Sequence, residues 1–202
     1  MIPRLGLICV AMLSPLVVSA QAAEPQTLRG PEAFQHIKNK EERSKALFTE
    51  MGKVIESPRC MNCHPRGDSP TQKDGAPHMP PVVRGADGRG APAMECSTCH
   101  GEEPVNFTDG AGSVPGHPDW HLAPVSMGWQ GLPLGDICVQ MLDPERNGGL
   151  DQAELIHHNG EDTLVGSGWT PGQGREPAPG SQEVFNALTR AWIETGAACP
   201  AG

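Results

Sequence analysis

Hydrophobic residues make up 37% of this 202-residue chain, with four Phe, four Trp and no Tyr, which excludes a large all-protein core. Its 25 Gly and 21 Pro exclude long regular elements over much of the length and commit the backbone to turns and extended loops. A formal net charge of −9 argues against nucleic acid as a partner and leaves basic protein surfaces as docking sites, held more weakly as salt rises.

The first predicted element is a secretory signal over residues 1–22. Arg4 supplies a short basic start, an apolar run extends from Leu5 to Val18, and Ala20-Gln21-Ala22 offers small residues for cleavage near Ala22 or Ala23. The expectation is an exported, periplasmic chain that loses Cys9 with the signal. No later apolar stretch approaches the ~20 residues that span a bilayer, so no membrane insertion is expected. Residues 23–57 form a helical lead. Pro31 suits a first turn, and Leu47, Phe48, Met51, Val54 and Ile55 make one apolar stripe, which predicts a helix over 31–55 that Ser57-Pro58 stops. Residues 58–130, rich in Gly and Pro from 65 onward, read as irregular loop. Residues 131–202 return to helix at 134–142, 150–158 and 181–195, with a loop over 166–180; the last helix carries Val184, Phe185, Leu188, Ala191 and Trp192 on one face. After the signal, these segments make one domain, mainly α with extensive irregular loop.

The loop region holds two C-x-x-C-H motifs, Cys60-Met61-Asn62-Cys63-His64 and Cys96-Ser97-Thr98-Cys99-His100. In this motif the two thiols add across the vinyl groups of a haem, and the tight turn places the following His on the iron. Two covalent haem c groups forming much of the core answer the thin composition: burying on the order of 400 Å² of each at ~25 cal/mol/Å² contributes roughly 10 kcal/mol. A Cys₄ zinc site would leave both trailing histidines without a task and would need reduced pairs in an oxidising compartment. A thioredoxin-like dithiol needs a βαβ setting, and no buried apolar strand is read before either motif. Cys138 and Cys199 are the remaining pair of an exported chain. A disulfide between them would close a loop of about 60 residues, worth roughly 4 kcal/mol by loop-closure entropy, and would fasten the last helix to the body. The other reading is two separate thiols.

Whether such an iron carries electrons or acts on a substrate depends on its sixth position, which is filled in a carrier and open in an enzyme. His78 and His121 are the first candidates for it, each in a Pro-flanked loop near a haem motif. Met127 and His158 come second, and a Met would raise the potential relative to a second His. His36, His117 and His157 read as solvated. Arg84 and Arg175, in Gly-rich loops, are candidates to pair with haem propionates, and Trp120, Trp129 and Trp169 to pack on haem edges. Asp143 through Glu154 matches an EF-hand loop in the spacing of its oxygen donors and in Gly148. The loop is single and Pro144 follows its first donor, so a helix-connecting turn is preferred over bound calcium.

The stretches Pro58 to Pro65, Arg84-Gly85, Ala93 to His100, Trp120 to Met127, Arg146-Asn147-Gly148 and Trp192 to Pro200 together resemble the small exported dihaem cytochromes of proteobacteria. Many of these bear the name isoquinoline oxidoreductase subunit. The resemblance spans most of the chain after the signal, and His78, His121 and His158 fall in matching stretches. It implies an electron carrier without catalytic residues, accompanying a dehydrogenase such as a molybdenum hydroxylase and passing single electrons to the respiratory chain. In that family Arg146-Asn147-Gly148 stands without a full set of carboxylates, which again disfavours calcium. The alternative is a haem enzyme of peroxidase or nitrogen-oxide reductase type with one iron open to substrate.

Overall fold

The computed structural model describes residues 27–202, so the expected signal lies outside the described residues. The architecture is mainly helical with little sheet. The α-helices are α1 Lys40–Ile55, α2 Pro58–Met61, α3 Leu134–Leu142, α4 Gln152–Gly160, α5 Thr163–Gly166 and α6 Gln182–Glu194. Three antiparallel hairpins of two-residue strands punctuate the loop region: β1 Thr71–Gln72 with β2 Ala76–Pro77, β3 Gly90–Ala91 with β4 Met94–Glu95, and β5 Val105–Asn106 with β6 Ser113–Val114.

The single helix predicted over 31–55 is divided into a 3₁₀ turn, Pro31–Phe34, and α1. Asn39 takes an extended conformation, and its side chain accepts from Glu42 N at 3.0 Å, so the chain restarts as a new capped helix. Ser57-Pro58 ends α1 as expected, and Pro58 then serves as the first residue of α2, where its missing N–H costs nothing. The segment 134–142 is helical as predicted. Asp151 and Glu154 form a capping box that starts α4 two residues later than the predicted 150. The short α5 was not predicted. It exists because Asp162 accepts from Leu164 N at 2.8 Å and Val165 N at 3.3 Å.

The core lies between α1, α3 and α6. Leu47, Phe48, Met51, Val54 and Ile55 of α1 are all buried, facing Phe185, Leu188 and Trp192 of α6. Phe48 and Trp192 meet with ring centroids 4.9 Å apart. Ser44 Oγ donates to Trp192 O and accepts from Ala198 N, which locks the turn after α6 onto α1. The Cys138–Cys199 disulfide ties α3 to that same turn, across a Cα separation of 5.6 Å. One carboxylate is enclosed here: Glu50 accepts from Arg29 Nε at 2.9 Å and from Lys53 Nζ at 2.6 Å.

Between Ile55 and Leu122 no hydrophobic side chain is part of the buried core. The same stretch instead leaves Met79, Val83, Met94, Val105 and Phe107 exposed. In the EF-hand-like segment, buried Asn147 donates to Met141 O and Leu150 O and accepts from Leu150 N, while Asp151 and Glu154 cap α4. These side chains therefore serve the backbone of a helix-connecting turn. Among the described residues no helix is long and apolar enough to cross a membrane.

Candidate haem sites

Two unrelated stretches build the same turn. The first motif follows α1, with Cys63 N and His64 N both donating to Cys60 O at 3.1 Å. The second is delivered by the β3–β4 hairpin, with Cys99 N and His100 N donating to Cys96 O at 3.2 and 2.9 Å. All four motif cysteines are free thiols. Burial pushes the Cys60 thiol up to about 12 and the Cys63 thiol up to about 11, and raises Cys96 as well. Among the described residues no group of three or more His, Cys, Asp or Glu side chains is placed to hold a metal ion.

Each motif histidine is held in the same way. His64 Nδ1 hydrogen-bonds Met127 O at 2.8 Å, and His100 Nδ1 hydrogen-bonds Pro115 O at 2.7 Å. A carbonyl only accepts, so each Nδ1 carries the proton and each Nε2 presents a free lone pair. Trp129 stacks on His64 at 3.4 Å between centroids and Trp120 on His100 at 4.5 Å, both nearly coplanar. Burial pushes the His64 imidazole down to about 3 against the pull of the Met127 carbonyl, and lowers His100 against that of Pro115. Both rings are neutral at pH 7, as a metal ligand must be.

The candidate sixth ligands are dispersed. His78 lies with its ring centroid 6.1 Å from that of His100. Two imidazoles sharing one metal at about 2.0 Å per bond would set their centroids about 6 Å apart. His78 Nδ1 donates to Pro80 O at 2.9 Å, which leaves its Nε2 free too. His158 is within electrostatic range of His64, and its Nδ1 is held by Asp162 Oδ2 at 3.1 Å. His121 Nδ1 likewise donates to a backbone carbonyl, Asp119 O at 2.6 Å, which leaves its Nε2 free as well, but among the described residues no ring contact joins it to either motif histidine. Met127 presents its carbonyl to His64 Nδ1, which puts it behind the imidazole rather than across from Nε2. His117 has both nitrogens engaged, by Thr163 Oγ1 and Asp119 N, and His157 is exposed beside Glu161, as His36 is on the surface.

Two arginines complete the arrangement. Arg84 is 9% exposed and lies in range of His64; its Nη1 donates to Ala123 O and its Nη2 to Gly67 O at 3.3 Å, while buried Nε has no partner. Arg175 is in range of His100, and its Nη1 donates to Ser113 Oγ at 2.8 Å. Neither has a carboxylate within ion-pair distance among the described residues, and burial pushes both guanidinium pKa values down. Arg84, a buried cation with an idle N–H, calls for an anion, and half-buried Arg175 can receive one. A haem fits what these residues lack: its propionates would neutralise the arginines, and its apolar ring would cover the exposed side chains of the loop region.

The motifs were legible in the sequence, but their supporting partners were not. Met127 and Pro115 act through backbone carbonyls, for which side-chain chemistry gives no signal. The His158–Asp162 pair was readable as an i,i+4 contact on a helix. Compared with protein-family models, curated proteins and solved structures, the chain matches none.

Proposed function

We propose that this chain is an exported dihaem c-type cytochrome that relays single electrons, with His64 and His158 as axial ligands at one site and His100 and His78 at the other. The observation that supports the reading is the His78–His100 pair, two imidazoles with centroids 6.1 Å apart, each held through Nδ1 by a backbone carbonyl so that Nε2 is free. When bound, haem c supplies an iron that alternates between Fe(III) and Fe(II). Cys60 and Cys63, and Cys96 and Cys99, would hold the groups as thioethers. The Met127 and Pro115 carbonyls fix the tautomer and orientation of His64 and His100 and raise their basicity. Arg84 and Arg175 would pair with haem propionates. No side chain has to move a proton.

The acidic balance of the chain suits basic docking surfaces on a donor dehydrogenase and a respiratory acceptor, and the N-terminal pattern suits the periplasm. The resemblance to small dihaem cytochromes points the same way. A haem enzyme would need a vacant sixth position with an acid or base beside it; His78, 6.1 Å from His100 between ring centroids, counts against that at the second site.

The visible and EPR spectra of the oxidised protein test the reading. Two low-spin haems that ignore added cyanide are expected, and a high-spin signal that shifts with cyanide would favour the enzyme instead. His78→Ala and His158→Ala should each convert one haem to high spin, whereas His121→Ala should leave both low-spin.

A further inference from the structure

Two consecutive amides join the attachment motifs to each other. Leu122 N donates to Gly88 O at 3.0 Å, and the same carbonyl faces Cys96 Sγ at 4.0 Å. Ala123 N donates to Cys63 O at 3.1 Å. A second connection runs through Arg84: its side chain bonds Ala123 O and Gly67 O, just beyond the first motif, and its carbonyl accepts from Gly90 N at 2.8 Å. Gly90 pairs with Glu95, the residue before Cys96. The approach is too close for a side chain. Gly88 has φ +80°, and a Cβ there would stand 2.8 Å from Leu122 O. The Cys63 and Cys96 thiols lie within electrostatic range of each other.

Taking the two motifs as haem sites, we propose that Leu122-Ala123 and Arg84 form a clasp that sets the Cys63 edge of one site against the Cys96 edge of the other, making them one electronically coupled unit. A thioether sulfur is one carbon removed from the porphyrin ring, so neighbouring thioethers bring neighbouring π systems. The clasp thereby names a class of donor. A dehydrogenase that removes two electrons from its substrate can discharge both in one encounter, one to each iron, with the protons left on the donor side. Leu122, Ala123 and Gly88 act here as positioning residues.

Soret circular dichroism of the full, haem-loaded chain reads this directly, because exciton coupling between two haems gives a two-signed band and falls steeply with separation. A two-signed Soret band is expected for the wild type, and its collapse to a single sign in Gly88→Val at an unchanged two haems per chain. A single-signed wild-type band, or a couplet that survives Gly88→Val, would overturn the clasp. If the variant fails to load haem, EPR of the wild type decides alone: spin–spin broadening in the oxidised state that vanishes on half-reduction supports the clasp, and spectra of two independent haems refute it. A purified protein without haem, by pyridine haemochrome assay, would overturn the functional reading and the clasp together.

Discussion

Leu47, Phe48, Met51, Val54, Ile55, Leu188 and Trp192 are each at most 1% exposed, and a disulfide seals the turn that follows them. From Gly67 to His121 the chain has no buried hydrophobic side chain, carries five large apolar side chains in the open and is held by two-residue strands. The helical body is thus built from its own side chains. The loop half has hydrogen-bonded turns but little apolar burial to offset the entropy of ordering them. The first C-x-x-C-H motif sits where that half meets the body, with Cys60 and Met61 against the core, and the second lies within the loop half, where a bound haem of the kind proposed would add the apolar burial that is lacking.

The sharpest way to break the comparison is to deny the guest. Cys96→Ala with Cys99→Ala should raise amide exchange across residues 67–120 by orders of magnitude while α1 and α6 keep their protection, measured by hydrogen exchange with mass spectrometry. Equal loosening of both halves would refute the division. Next in size, Trp192→Ala should cost about 3–5 kcal/mol of stability in urea titration, because it empties the contact between α6 and α1. Removing the disulfide by Cys138→Ser with Cys199→Ser should cost about 2–4 kcal/mol and free the C-terminal turn, without changing the haem spectrum.

The smallest effect is a pH dependence confined to the helical body. Burial pushes the Glu50 carboxyl up, but hydrogen bonds from Arg29 and Lys53 outweigh it, so Glu50 lies below its ordinary value. A depressed folded value means that its contribution is full above about pH 4.3, the unfolded value, and is lost as pH falls through the folded one. Glu50→Gln should flatten the acid limb of the stability curve in that window, and an unchanged limb would remove Glu50 as its source.

What the sequence disclosed divides along the same line. In the body, apolar periodicity marked α1, α3 and α6, and elimination among the cysteines found Cys138 and Cys199, because side-chain identity decides both. In the loop half, the motifs announced themselves by spacing, yet the ranking of His121 above His158 relied on distance along the chain. His158, on α4, lies within electrostatic range of His64, a relation set by tertiary packing that no local pattern encodes. The break at 35–39 and the existence of α5 depend on the side chains of Asn39 and Asp162 caps, visible as residue types but not decisive until the chain direction is known.

The buried position of Cys138 also bears on the order of maturation. Six cysteines, from Cys60 to Cys199, would enter an oxidising compartment together, and six can pair in about 15 ways. Cys138 is fully enclosed by the helical body, against the turn that holds Cys199. Folding of the body would thus withdraw two thiols from exchange as a matched couple and leave the other four, in two turns, for the attachment proposed above.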